Sequence, residues 1–413
     1  MATAPAEVLP PAKRWKKDPE CLETSPVLLA TATADWSSLP YDIIGRIADS
    51  FLATNDLDWY MDLRAVCHNW RSATDDPTKS SMDSRFHPRR WIILDEVFES
   101  DTRRLLLNTA TGRFLHKELP ALRDYFVVAT TLHGFFVLAD RSPPHGARVF
   151  NPLTGGIIRL TATVPPEVQV TAAVCFNFSS PLLTLYCHSC CKMYFMTRPG
   201  TSFETLDLEC GLSLYSFFRR AAGGGLIGLV RTAGMALKIY QVGQSLRVDL
   251  SKFFSDDPAE MGLANDARCF PMEFGGQMLV VIKRQQFFCV LRFEAESSEL
   301  LHVESIFNHA IFIGHHRCLA VDADMFPLIE ANCIYYTEHY GSSAHIWKYN
   351  IKDRKLERIS EAADFVKQDK HFVLVGNRPF TIIQLLSSYT ISIRDSELAL
   401  QQTTQGADEL DDI

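Results

Sequence analysis

The chain of 413 residues lacks a long apolar run, a cationic surplus and the common catalytic signatures. No stretch reaches the roughly 18 apolar residues of a membrane helix, and the first 20 residues are broken by Pro and charge where a secretion signal would need an apolar core. The net charge of −8 argues against generic affinity for nucleic acid, so neither direct nucleic-acid binding nor membrane association is expected. There is no Gly-x-Ser-x-Gly elbow and no His pair at helical metal-binding spacing. Gly223-Gly224-Gly225 lacks the Lys and Ser/Thr of a phosphate loop, and Asp322 and Asp324 form no recognisable acid/base pair. His315, His316, His339 and His345 read as surface or loop histidines. These absences predict a binding protein with no catalytic residues, no cofactor and no metal.

Eleven cysteines are scattered, and Cys67, Cys175, Cys269, Cys289 and Cys333 lie in apolar segments, where cysteine acts as a small hydrophobe. Cys187-His188-Ser189-Cys190-Cys191 is the one cluster with metal-ligand chemistry. Structural zinc sites draw on separated ligand pairs, whereas these donors crowd into five residues between two strand-like runs. A hairpin turn is the expectation, with Cys210 and His188 the residues that would test it.

What is present changes character once along the chain. Residues 1–34, rich in Ala, Pro and Thr, read as a disordered leader; within them Lys13-Arg14-Trp15-Lys16-Lys17 is a basic run of the nuclear-import type or a solvated cluster. Residues 35–76 carry helical periodicity: Ile43, Ile44, Ile47 and Phe51 share one face, and Leu63, Val66, Cys67 and Trp70 share another. Residues 77–90 read as a linker. From 91 to 395 short runs rich in Val, Ile, Phe and Tyr recur every 8–12 residues or so, the cadence of a sandwich, barrel or propeller. Residues 396–413 read as a flexible acidic tail.

Length and an internal echo favour the propeller. Asn108-Thr109-Ala110-Thr111-Gly112-Arg113 resembles Asn151-Pro152-Leu153-Thr154-Gly155-Gly156, 43 residues further on, close to the ~40–50 residues of one four-stranded blade. Asn350-Ile351-Lys352-Asp353-Arg354-Lys355 is a looser third copy. The expected fold is therefore a small all-α module followed by an all-β propeller of six or seven degenerate blades.

Two separated motifs give the module a resemblance. Trp36-Ser37-Ser38-Leu39-Pro40-Tyr41-Asp42-Ile43-Ile44 resembles the start of an F-box, and Leu63-Arg64-Ala65-Val66-Cys67-His68-Asn69-Trp70-Arg71 resembles its end. The remainder is similar to the plant-specific KIB-type domain, expected to be a propeller, that commonly follows an F-box in plants. Phe312-Ile313-Gly314, Met325-Phe326-Pro327 and Asn332-Cys333-Ile334-Tyr335-Tyr336-Thr337 carry that similarity, with Phe86-His87-Pro88-Arg89-Arg90-Trp91 and the turn at Asn151. Asn55-Asp56-Leu57-Asp58-Trp59-Tyr60-Met61-Asp62 departs from the F-box pattern by lengthening and acidifying its middle.

The resemblance implies the substrate receptor of a cullin-based ubiquitin ligase, in the nucleus, the cytoplasm or both. Its F-box would dock on a Skp-type adaptor through Leu39, Pro40, Ile43, Ile44, Ile47, Leu63, Val66, Cys67 and Trp70, and its propeller would hold a target protein. Some of these residues would instead hold the three helices together, Trp70 foremost. Two other readings fit the composition: a propeller that binds or hydrolyses a small molecule in its channel, and a scaffold without a ubiquitin connection. Fold alone is weak warrant for either.

Overall fold

The computed structural model describes residues 35–403 except 95–99, 177–180, 199, 208–213, 220–225, 233–235, 242–243, 250–267, 275–276, 285–286, 295–296, 298, 370 and 376–378. Over 214–249 it describes backbone pairing alone. The leader with its basic run, Cys210, Gly223–Gly225 and residues 404–413 lie outside the described residues. The chain forms two compact units, Met1–Leu39 and Pro40–Ile413. In the first, Asp35 caps a single 3-10 turn, Trp36–Ser38, by accepting a hydrogen bond from the Ser37 N–H.

The second unit opens with three helices, α1 (Tyr41–Ala53), α2 (Leu57–Val66) and α3 (His68–Ser72). Pro40 precedes α1, a position that needs no backbone N–H. α2 and α3 are separate because Cys67 is extended (φ −159°, ψ 172°), so the expected single face through Leu63, Val66, Cys67 and Trp70 is broken. Arg64 fastens the break. Its Nη1 donates to the carbonyls of Arg71 (3.3 Å), Thr74 (2.7 Å) and Asp75 (2.6 Å), while Arg71 Nε donates back to the Arg64 carbonyl (3.1 Å). The Arg64 and Arg71 carbonyls are among those that short helices leave open.

The segment expected as a linker is packed. Pro77, Phe86, His87 and Pro88 are buried, and the His87 ring lies 3.8 Å from that of Phe176.

The β region begins with a three-stranded antiparallel sheet, β1 (Trp91–Leu94), β2 (Arg103–Asn108) and β3 (Phe114–Glu118). Four-stranded antiparallel meanders follow. The first is β4 (Tyr125–Thr130), β5 (Phe136–Asp140), β6 (Gly146–Phe150) and β7 (Ile157–Thr163). The second is β8 (Val170–Cys175), β9 (Leu182–Cys187), β10 (Lys192–Phe195) and β11 (Glu204–Asp207). The third is β12 (Leu214–Arg219), β13 (Leu226–Thr232), β14 (Ala236–Gln241) and β15 (Gln244–Asp249). The fourth is β16 (Arg268–Phe274), β17 (Gln277–Arg284), β18 (Phe287–Glu294) and β19 (Glu299–His302).

The last sheet is mixed and seven-stranded: β20 (His309–Ile313), β21 (Cys318–Asp322), β22 (Cys333–Tyr340), β23 (Ser343–Asn350), β24 (Leu356–Arg358), β25 (Phe365–Gln368) and β26 (His371–Leu374). β20 pairs in parallel with β22.

The first strands β4, β8, β12 and β16 pack in succession, and β16 then meets β21. The arrangement is a β-propeller. Among the described residues four blades are complete four-stranded meanders, short of the six or seven expected, because the flanking sheets depart from the four-stranded pattern.

One core joins the two sheets that start with β4 and β8. A second joins β1 and β2 to the last sheet, with Leu107, Phe312, Tyr335 and Leu386 among its buried residues. The beginning and end of the propeller thus share one hydrophobic interior.

The repeat seen in the sequence is one recurring hairpin. In each copy the first Asn donates its N–H to the carbonyl five residues on, at 2.9, 2.8 and 2.9 Å for Asn108, Asn151 and Asn350. Its side-chain oxygen accepts from backbone N–H groups within the turn. The fifth position is left-handed, occupied by Gly112 (φ 68°), Gly155 (φ 74°) and Arg354 (φ 53°). Glycine costs nothing there, which is why two copies read clearly and the third does not. Ser142–His145 is a turn between β5 and β6 with a cis Pro143–Pro144 bond, closed by His145 N–H to the Ser142 carbonyl at 3.0 Å.

The end of the chain departs from the all-β expectation. Thr381 and Gln384 form a reciprocal cap on α4 (Ile382–Ile391). The helix packs so tightly on the β20–β21 turn that a Cβ at Gly314 would sit 2.1 Å from the Thr390 carbonyl carbon. The segment expected to be a tail from 396 is ordered at its start: Ser396, Leu398 and Ala399 are buried, and Leu398 joins the β4–β8 core. Glu397 accepts a hydrogen bond from the Val127 N–H (2.9 Å), and Ser396 N–H donates to the Val168 carbonyl (2.8 Å). This apolar and polar anchoring outweighs the acidic composition further on.

Candidate adaptor-docking surface

The helices divide their apolar residues between two faces. On α1, Ile44 and Ala48 are buried one turn apart, while Ile43 is exposed and Ile47 half-buried on the adjoining stripe. On α2, Leu57, Tyr60 and Leu63 face inward, while Trp59 and Val66 are 47% and 58% exposed. Cys67 and Trp70 are half-buried, and Pro40 is exposed. Leu39, half-buried, belongs to the first unit. The nine residues expected at an adaptor thus separate. Ile44 and Leu63 are interior supports, because helices this short need apolar residues to hold one another. Pro40, Ile43, Ile47, Val66, Cys67 and Trp70 keep accessible surface. Exposed large apolar side chains on adjoining helices are the raw material of a helix-mediated interface.

Beneath this surface the module is fixed to the propeller by polar contacts absent from the sequence expectations. Asn55, left-handed at φ 57° and buried, ends α1. Its Nδ2 donates to the His87 carbonyl (2.9 Å), and its Oδ1 accepts from the Arg90 N–H (3.0 Å). Its carbonyl accepts from Trp91 Nε1 (2.7 Å), which fastens the fully buried indole that begins β1. Asp56 and Asp58 then meet the β2–β3 hairpin. Arg113 bridges Asp56 and Asp58 (2.9 Å to the latter), Lys117 pairs with Asp58 (2.6 Å), and the Arg113 guanidinium lies 4.6 Å from the Trp59 ring centre. Burial raises the Asp56 carboxyl above the ordinary aspartate range, outweighing the nearby Arg113. The acidic stretch that departs from the F-box pattern is therefore the seat of the module on its first sheet. Its signal lay in the paired Asp56 and Asp58, whose partners are distant in sequence.

Two other clusters carry chemically active side chains. The histidines are not all surface groups: the His316 ring lies 4.7 Å from those of His188 and His315. Burial keeps His188 neutral, down to about 3, and holds His316 well below the ordinary imidazole value. His339 stacks on Phe372, and His371 faces Asp395 at 3.2 Å. The Cys187–Cys191 run is the β9–β10 hairpin turn, as expected. A cavity lined by Arg104, Val127, Thr130 and Arg317 offers about 10 Å³, room for roughly one water.

The fold defines a β-propeller carrying an N-terminal helical module. The KIB1-4 beta-propeller family matches residues 105–356, more than half the chain, and the chain belongs to that family. No curated protein matches it. Solved structures resemble it distantly. A protein of unknown function from Bacteroides caccae is 12% identical, with TM-score 0.29, over 63% of this chain and 82% of that one. The β-propeller domain of the Trilobed protease from Pyrococcus furiosus is 8% identical, with TM-score 0.30, over 64% and 78%. Likeness this low carries no argument about function.

Proposed function

We propose that the chain is the substrate-recognition subunit of a cullin-RING (SCF-type) ubiquitin ligase of plant type. Its helical module, an F-box, docks on a Skp-type adaptor and through it on cullin, while the propeller holds a target protein. The observation that supports this reading is that exposed Ile43, half-buried Ile47 and exposed Val66 keep apolar surface on helices seated on the propeller by polar contacts. With polar groups fixing the module's orientation, the apolar side chains that its interior does not use are left for a partner. We count the three-stranded and the mixed sheet as irregular blades, which makes six. The chain has no catalysis of its own in this reading. It acts in the nucleus or cytoplasm, where adaptor and cullin are found.

The test is co-purification of the full chain with recombinant Skp-type adaptor and cullin. Wild type is expected to retain both, and Leu39→Asp/Pro40→Ala to lose both. A wild type that retains neither overturns the ligase reading; retention of adaptor without cullin favours a scaffold.

A further inference from the structure

The β9–β10 turn gathers metal-ligand chemistry from beyond its own five residues. Cys187 closes β9, paired with Lys192 of β10 and with Val170 of β8. This pairing brings the start of β8 alongside, and with it Glu167. One Glu167 oxygen and the sulfurs of Cys187 and Cys190 all lie within 4.8 Å of one another. The Cys187 Sγ to Glu167 Oε2 distance is 3.5 Å. A tetrahedral zinc ion with its usual bond lengths would hold a sulfur and a carboxylate oxygen about 3.6 Å apart.

The carboxylate is also held in place. The Tyr194 hydroxyl donates to Glu167 Oε1 at 2.7 Å, leaving Oε2 turned to the thiols, the kind of support that metal-bound carboxylates receive. The turn reverses through Cys191 at φ 54°, a left-handed non-glycine residue. His188 faces elsewhere, with Nε2 3.2 Å from the Thr171 hydroxyl. Glu167, 20 residues before Cys187, is the donor group beside the two thiols, and Cys210 lies outside the described residues.

We propose that Cys187, Cys190 and Glu167 form a binding site for a thiophilic divalent ion of the zinc class, with solvent as fourth ligand. On binding, both thiols release their protons to solvent and the sulfurs bond to the ion as thiolates. No electron transfer is involved. Cys190 is exposed, so an ion can enter from solvent. The site would tie the β8 end to the β9–β10 turn.

The test is titration of the reduced, metal-stripped full chain with Co²⁺ alone, followed by displacement with Zn²⁺. One Co²⁺ per chain is expected, with thiolate-to-cobalt charge-transfer absorption in the near ultraviolet. Cys190→Ser, at an exposed turn position, should weaken binding by more than about 100-fold, and Tyr194→Phe, which removes only a supporting group, by about tenfold. Cys191→Ser should bind as wild type. Absence of uptake by the reduced wild type, or unchanged binding by Cys190→Ser, overturns the proposal. So does a Cys187–Cys190 disulfide that re-forms after reduction in the presence of Co²⁺.

Discussion

The helical module meets the propeller and the solvent through faces of different character. Where it meets the propeller, the contact is charged and polar and largely shielded: Asn55, Asp56 and Asp58 against Arg90, Trp91, Arg113 and Lys117. Where it meets solvent, it presents Ile43, Trp59 and Val66. Polar contacts are directional, so they set the angle of a small module better than apolar packing does, at a cost in desolvation. Apolar side chains left outside are a liability unless something covers them. In the proposed reading the inner face serves orientation and the outer face association, so each is expected to break without the other.

The largest effect should come from Asn55→Ala. It leaves the Arg90 N–H and His87 carbonyl without their partner and puts alanine at a left-handed φ, together about 4 kcal/mol by chemical denaturation. Leu63→Ala, at 5% exposure, should cost about 3 kcal/mol by opening a cavity between the helices. Asp58→Ala should cost about 2 kcal/mol, below the figure for a fully buried pair, because Arg113 and Lys117 keep some solvent access.

Asp56→Asn sharpens the inner side of the comparison, with an expected effect under about 1 kcal/mol. Burial raises the Asp56 pKa in the folded state. Its charged form is therefore penalised there, and the penalty is relieved as pH falls through the raised folded-state titration. The variant should be the more stable protein near neutrality, and the gap should close on acidification, measured as denaturation midpoints across pH. Smallest of all, Val66→Ser should change stability by less than about 0.5 kcal/mol, because Val66 is 58% exposed.

The β cadence was legible because most strands are short apolar runs, as in β1 (Trp91–Leu94) and β9 (Leu182–Cys187). The repeat was legible because an Asn followed by a left-handed Gly has local mechanics. What stayed hidden was mostly long-range. Asp56 and Asp58 find their partners in another element, and Glu167 reaches Cys187 only once β8 and β9 pair. The helical spacing from Leu63 to Trp70 continues across Cys67 although the backbone does not. α4 was concealed by its own hydrophobicity, although Thr381 and Gln384 carried a capping signal at its start.

The central claim is that the outer face of the module binds a Skp-type adaptor. Isothermal titration of the full chain with recombinant adaptor, comparing wild type with Ile43→Asp/Val66→Asp, tests it most directly. The account predicts a one-to-one complex for wild type, an affinity loss of at least about 100-fold for the double variant, and an unchanged denaturation midpoint. No binding by wild type, or equal binding by both proteins, would contradict it.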